Sequence, residues 1–304
     1  MSPLRRVVDI FGRVLIGAGV LVLLFTAYQI WGTSIQESHT QSGLRTQLQN
    51  ETNSAEVRHA LAEEAALDKL PTGPPIPAPH TVAPAEGDPV GDIRIPVIGI
   101  NQVIVEGTNT PDLRKGPGHY TGTPMPGQAG NAAIAGHRTT YGHPFYNLDS
   151  VKVGDPIVLT TLQGVFVYDA FKSVVVSPSD TSVINPVPAN ILTLTTCNPR
   201  FSASTRLIVQ ARLAHSQLFQ NSGLPAATTH ADPQSQNLAG DSTVEWTGTL
   251  FWGLLAVVVG VAVFYSAAKF RRQRWFIYGG GVLAGLVLLW FFFGAVSPLL
   301  PASY

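Results

Sequence analysis

Three long stretches of this sequence carry no charge, and they limit what the chain can fold into more than any other feature. Val14–Gln36, Thr247–Ala268 and Trp275–Val296 contain no Asp, Glu, Lys or Arg. A helix of about 20 apolar residues, rising about 1.5 Å per residue, crosses the hydrocarbon layer of a bilayer. The first stretch has its apolar part at Val14–Trp31, follows Arg5, Arg6 and Arg13, and precedes no clear small-x-small cleavage site. It therefore reads as an uncleaved signal anchor rather than a removable signal peptide. The other two are separated by Lys269, Arg271, Arg272 and Arg274 and read as a helical hairpin in the membrane. Cationic loops stay on the cytoplasmic side, so both charge clusters place the N-terminus and the 269–274 loop inside and residues 37–245 outside. All five tryptophans, Trp31, Trp246, Trp252, Trp275 and Trp290, fall in or beside these stretches, where indoles settle at membrane interfaces. Gly281 and Gly285 form a small-xxx-small pair of the kind that seats a second helix, a spacing that also arises by chance in glycine-rich spans.

What remains is one domain and its leads. Charged residues make up 12% of the chain, against about 25% in an average soluble domain. The net charge is zero and no Lys/Arg block lies outside the membrane flanks, which argues against nucleic acid as a partner. The single cysteine, Cys197, excludes an intramolecular disulfide, so the domain is held by its core. Gln36–Leu70 is polar at loosely helical spacing and suggests a short exposed helix. Pro71–Pro89 is proline-rich and predicts a stiff extended spacer that lifts the domain off the bilayer. A polar stretch from 214 to 245 leads back to the membrane. Between them, residues 90–213 carry short β-like runs at Ile93–Ile95, Val103–Val105, Ala132–Ala135, Pro156–Thr161, Val165–Val176, Ile191–Thr196 and Arg206–Leu213, punctuated by Gly, Pro, Asn and Asp. With no long helical run among them, a mainly β, closed or nearly closed small barrel is the expected architecture.

The chemistry concentrates around Cys197. A lone cysteine is either a small buried apolar residue or a reactive thiol. Alternating and β-branched residues bring a strand up to Cys197, Asn198 and Pro199 end it, and a new strand begins at Arg206. Joined as a hairpin, the two strands put Cys197 and Arg206 at one rim of the sheet, which predicts an accessible thiol beside a guanidinium. Such a cation favours thiolate, and it can donate hydrogen bonds to a carbonyl oxygen as charge builds there. Of eight histidines, His39, His59, His80, His215 and His230 lie in polar leads, leaving His119, His137 and His143. His137 follows the buried small-residue run Asn131–Gly136 and again sits at a rim. His143 precedes a proline and reads as an exposed loop residue, and His119 could line a cleft.

Thr193, Leu194, Thr195, Thr196 and Cys197, followed by Arg206, resemble the TLxTC...R signature of sortases, and Gly136-His137 matches the histidine of that family. The resemblance covers Ile93–Leu213 in the family's order of histidine, cysteine, arginine. Thr123–Gly127, Gly136–Thr140 with Pro144-Phe145, and Val153–Asp155 are most similar to class E sortases of high-GC Gram-positive bacteria. This resemblance implies an eight-stranded closed β-barrel, cysteine transpeptidase activity and no cofactor. It implies as substrates surface proteins bearing a C-terminal LAxTG- or LPxTG-like sorting signal, and as acceptor a peptidoglycan or pilin amine. It further implies Cys197 as nucleophile, His137 as acid/base, Arg206 as oxyanion and substrate holder, and Thr195, Thr196, Tyr120 and His119 as substrate-binding residues. The calcium site of some class A sortases needs clustered acidic groups; no convincing set is present, so no metal is expected. Asp88-Pro89-Val90 lacks the aromatic of the lid motif in pilin-forming class C sortases.

Three other readings stay open on the sequence alone: a pilin-polymerising sortase, a papain-like cell-wall cysteine hydrolase, and a silent membrane-tethered module that keeps the barrel. Papain-like enzymes set the cysteine at a helix N-terminus ahead of the histidine, the reverse of the order here. Because no tryptophan lies between Trp31 and Trp246, residues 72–213 alone should emit fluorescence typical of tyrosine; a tryptophan-like spectrum would contradict this partition.

Overall fold

A computed structural model describes residues 3–50, 70–219, 246–270 and 272–297. The chain divides into two compact units, residues 1–32 with 242–301, and residues 33–241 with 302–304.

The first unit holds helix α1 (Pro3–Ala27), a short π-helical turn at Tyr28–Gly32, and two later helices, α3 (Thr247–Lys269) and α4 (Arg274–Val296). Among the described residues three helices are long and apolar enough to cross a membrane, one reaching from α1 beyond the π-turn and two formed by α3 and α4. Their large apolar side chains point outward, as lipid-facing helices require. Aromatic contacts join them: Tyr28 meets Trp290 edge-on at 5.0 Å, Phe25 meets Phe293 at 5.2 Å, and Trp252 stacks on Phe291 at 4.7 Å. The small-residue pair divides in its role. A Cβ at Gly281 would come within 2.6 Å of Val263, so this glycine lets α3 approach, whereas Gly285 has no neighbour within 4 Å.

The second unit is a closed eight-stranded barrel. Its strands are β1 (Pro89–Ile95), β2 (Ile100–Glu106), β3 (Gly118–His119), β4 (Asn131–Ala135), β5 (Pro156–Thr161), β6 (Gly164–Val176), β7 (Ile191–Asn198) and β8 (Thr205–Leu218). Round the barrel they run β1-β2-β3-β4-β7-β8-β6-β5. Two pairs are parallel, β2 with β3 and β4 with β7; the rest are antiparallel. Strand alternation divides β4 and β7 between two apolar clusters. Ala132, Ile134, Leu192 and Leu194 join Ile93, Phe145, Phe166 and Tyr168 inside the barrel. Ala133, Ala135 and Cys197 pack on the other face with Leu113, Tyr120 and Ile184.

Three features depart from the sequence expectations. Helix α2 (Thr33–Asn50) is docked on the barrel and not exposed. Leu44 packs on Val103 and Val105, and Leu48 packs with Phe219, Leu162 and Val165. Val103 lies just before the β2–β3 ladder begins, so on that side its backbone lacks a strand partner. Gln41 supplies one, its amide accepting from Val103 N at 2.7 Å and donating to Val103 O at 3.0 Å. Arg45 pairs with the buried Asp92 at 3.1 Å. The proline-rich stretch is likewise a strap on the barrel and not a free spacer. Ala78 bridges to Gln128, Ile76 N donates to Ser216 Oγ at 2.9 Å, and Gln163 Nε2 donates to Pro79 O at 2.7 Å. Finally, the last strand runs to Leu218, five residues into the stretch read as a polar lead. The rest of that lead, 220–245, and residues 51–69 lie outside the described residues.

Leu48 is fully buried, and truncating a buried leucine to alanine costs about 2–5 kcal/mol. Leu48→Ala should therefore loosen α2, seen as new tryptic cleavage after Arg45 while the barrel stays resistant. Unchanged cleavage would mean that the helix is held elsewhere.

Candidate active site

The site is set by the register of β7, which is hydrogen-bonded on both sides. On one side Cys197 pairs directly with Arg206 across the antiparallel β7–β8 ladder. Opposed residues in such a ladder present their side chains on the same face, with Cβ atoms about 4.5–5.5 Å apart. On the other side β4 runs parallel to β7 with Ala135 beside Thr195. Gly136 N donates to Thr195 O at 3.0 Å, continuing that pairing by one residue. His137, the next residue, arrives level with Cys197. The imidazole, the thiol and the guanidinium thus come from three adjacent strands at one end of the barrel.

Local contacts hold each piece. Gly136 is required where it stands, since a Cβ there would meet the Phe145 ring at 2.5 Å. Phe145 N donates to His137 O at 3.1 Å, closing the loop that follows. Thr140 Oγ1 lies 3.3 Å from His137 Nδ1, and the Tyr141 ring lies 5.0 Å from the imidazole. Tyr141 adopts a left-handed φ of 48°, and its N–H donates to Thr33 Oγ1 of α2 at 3.1 Å. Arg206 Nη1 donates to the carbonyls of Ala203 and Thr205, at 3.0 and 3.2 Å, at the turn between the strands.

The accessible thiol expected from the sequence is not what the fold presents. Cys197, His137 and Arg206 are 1%, 3% and 3% exposed. The sulfur nevertheless lies outside the barrel core, in the second apolar cluster with Tyr120, Leu113 and Ile184. Burial pushes the Cys197 thiol up to about 11, against the pull of Arg206 and, more weakly, Arg138. In this closed arrangement the group is a thiol at neutral pH.

The four residues expected to bind substrate separate into two sets. Tyr120 and Thr195 lie on the cysteine's face, with Tyr120 OH 3.1 Å from Thr195 Oγ1. Thr196 alternates to the barrel interior and donates to Gly136 O at 2.7 Å, so it holds the backbone that leads to His137 and is turned to the face opposite Cys197. His119 is fully buried, Nδ1 at 2.7 Å from Glu106 and Nε2 at 2.9 Å from Thr123. With both nitrogens engaged inside the fold, it braces the loop that carries Tyr120. His143 is exposed, in the loop where it was expected. Sequence reasoning missed Arg138, a buried cation whose guanidinium reaches the Cys197 carbonyl. Its position immediately after His137 was the signal available. Among the described residues no group of three His, Cys, Asp or Glu side chains could hold a metal ion.

Known proteins share sequence with this chain. A family model described as sortase domain matches residues 93–214. The chain is 33% identical over 218 residues to sortase SrtE1 of Streptomyces coelicolor, covering 66% of this chain and 56% of that one. It is 37% identical over 117 residues to sortase D of Bacillus subtilis, covering 38% and 58%. The chain thus spans just over half the length of these two relatives. The structure of sortase E from Streptomyces avermitilis, 38% identical, aligns over 46% of this chain and 99% of that one with a TM-score of 0.42.

A thiol held up to about 11 should be alkylated slowly at neutral pH, with the rate rising as pH climbs towards 11. The same shift stabilises the fold below the unfolded thiol's ordinary value near 9, and this contribution is lost as pH rises through about 11. Iodoacetamide labelling of Cys197, the one thiol present, reads the first effect directly; fast, pH-independent labelling between 6 and 8 would contradict the burial.

Proposed function

The chain belongs to the sortase family through residues 93–214, and from that premise we propose that it is a membrane-anchored cysteine transpeptidase that joins the C-terminal sorting signal of a surface protein to an amine. The observation that carries this reading is the register of β7, with Arg206 directly across from Cys197 and His137 level with it.

Each group has one task. The Cys197 sulfur attacks the carbonyl carbon of the signal's Thr-Gly bond, with the thiol proton passing to His137. Negative charge then builds on the carbonyl oxygen, and the Arg206 guanidinium stabilises it there. His137 returns the proton to the departing glycine amine as the C–N bond breaks, leaving a thioester on Cys197. An incoming amine attacks the thioester carbonyl and gives up a proton to His137. The sulfur leaves, a new amide forms, and the thiol is restored by that proton. Thr195 and Tyr120, on the face of the sulfur, line the path of the signal.

Substrate choice follows the class E likeness: an LAxTG-like signal, with LPxTG as the related sequence, and a cell-wall peptide amine as acceptor. The charge flanks support an N-terminus and a 269–274 loop in the cytoplasm and a barrel outside, where both substrates are found.

The full chain in detergent, given an LAxTG peptide and a small amine, should form the amide product. Cys197→Ala should form none, and Arg206→Lys, which keeps the charge but loses the fork, should lower kcat about 100-fold or more. Release of free acid alone at high amine concentration would make the protein a hydrolase, and turnover by the alanine variant would remove Cys197 as nucleophile.

A further inference from the structure

Arg138 makes more contacts at the site than any role so far described uses. Its guanidinium is 2% exposed. Nη1 donates to Cys197 O at 3.1 Å and to Asn198 Oδ1 at 2.9 Å, Nη2 pairs with Asp149 at 3.0 Å, and Nε reaches Tyr146 O at 3.4 Å. Asn198 passes the connection on: its Nδ2 donates to Thr205 Oγ1 at 3.1 Å, and Thr205 Oγ1 donates to Asn198 O at 2.7 Å.

Each member of this chain of bonds is bound to, or is one residue away from, a group in the proposed reaction. Arg138 follows His137 in sequence and bonds the Cys197 carbonyl. Asn198 follows Cys197. Thr205 precedes Arg206. We propose that Arg138, acting through Asn198 and Thr205, is the positioning residue that fixes His137, Cys197 and Arg206 in one geometry. The inference rests on the transpeptidase reading for its consequence, though not for the contacts themselves.

The anchorage of Arg138 supports a rigid frame. Asp149 is shared with Arg200, whose Nη2 lies 2.8 and 3.0 Å from its two oxygens. Arg200 stands in the turn just after Cys197, donates to Tyr146 O at 3.1 Å, and stacks over the Tyr146 ring at 4.6 Å. One arginine from the histidine loop and one from the cysteine turn therefore grip the same carboxylate and the same carbonyl. Burial weakens the hold of Arg138 on its proton, and the Asp149 carboxylate opposes that. A planar fork with five donors can serve this many acceptors at once; an ammonium cannot. Misplacing reacting groups by about 1 Å costs about 100-fold in rate, which is the scale expected when such a clamp is lost.

The test uses the full chain in detergent with two readouts, acyl transfer from an LAxTG peptide to a small amine, and the pH profile of Cys197 alkylation. Arg138→Gln should lower kcat about 100-fold with KM changed less than threefold, and should move the alkylation profile to higher pH. Arg138→Lys, which restores the charge without the fork, should recover the alkylation profile but leave kcat low. Asn198→Ala and Thr205→Val leave the other bonds of the guanidinium intact and should each lower kcat about tenfold. They carry the test if the Arg138 variants do not fold. Wild-type kcat per folded molecule in the Arg138 variants, or in both Asn198→Ala and Thr205→Val, overturns the proposal. If the wild-type chain itself transfers no acyl group, the transpeptidase reading fails instead; tryptic cleavage after Arg200, which shares Asp149 with Arg138, then decides, and equal cleavage in wild type and Arg138→Gln overturns the clamp.

Discussion

Everything at the site depends on one strand being paired on both edges. A barrel strand with two ladders cannot slip by a residue, because a slip of one would turn every side chain to the opposite face and bury polar groups in the core. In β7 such a slip would put Thr193, Thr195 and Cys197 inside and Leu192 and Leu194 outside. The hydrophobic cost of that exchange fixes the register, and the register alone sets Cys197 against Arg206. Core packing on one face thereby supplies the precision needed on the other.

The alternation was readable in the sequence, and so was the hairpin, because β-branched residues ending at Asn198-Pro199 leave few other ways to fold. The apolar helices were readable for the same reason: length without charge has few solutions. Helix α2 was harder. Its buried face runs Glu37, Gln41, Leu44, Leu48, a helical stripe that is half polar and so does not register as amphipathic. The glutamine is explained by the carbonyls of Val103 and Lys115 and the Val103 N–H, which come together only once the barrel is closed. The proline-rich strap was concealed in a similar way. Proline bars regular structure, but it does not bar an extended segment from lying against a sheet, where Pro79 and Gly127 need only offer carbonyls.

The burial of Cys197 was not legible, because exposure is decided by segments remote in sequence. Leu113, Tyr120 and Ile184 reach the same cluster from separate parts of the chain. Their apolar surroundings hold Cys197 as a neutral thiol, which is weakly reactive. Two guanidiniums oppose that effect, and burial prevails in the closed arrangement. Reactivity is therefore tied to admitting polar atoms beside the sulfur, which an arriving peptide carries with it. The side reactions of an exposed thiolate, oxidation above all, are suppressed by the same burial.

The packing of Leu48 against Phe219 brings together the point where the chain arrives at the barrel and the point where it departs. A domain whose two leads meet in this way is a cassette. That cassette includes α2, whose Gln41 and Arg45 bond to β2 and to Asp92 of β1, so moving it into an unrelated scaffold means carrying the helix with the barrel.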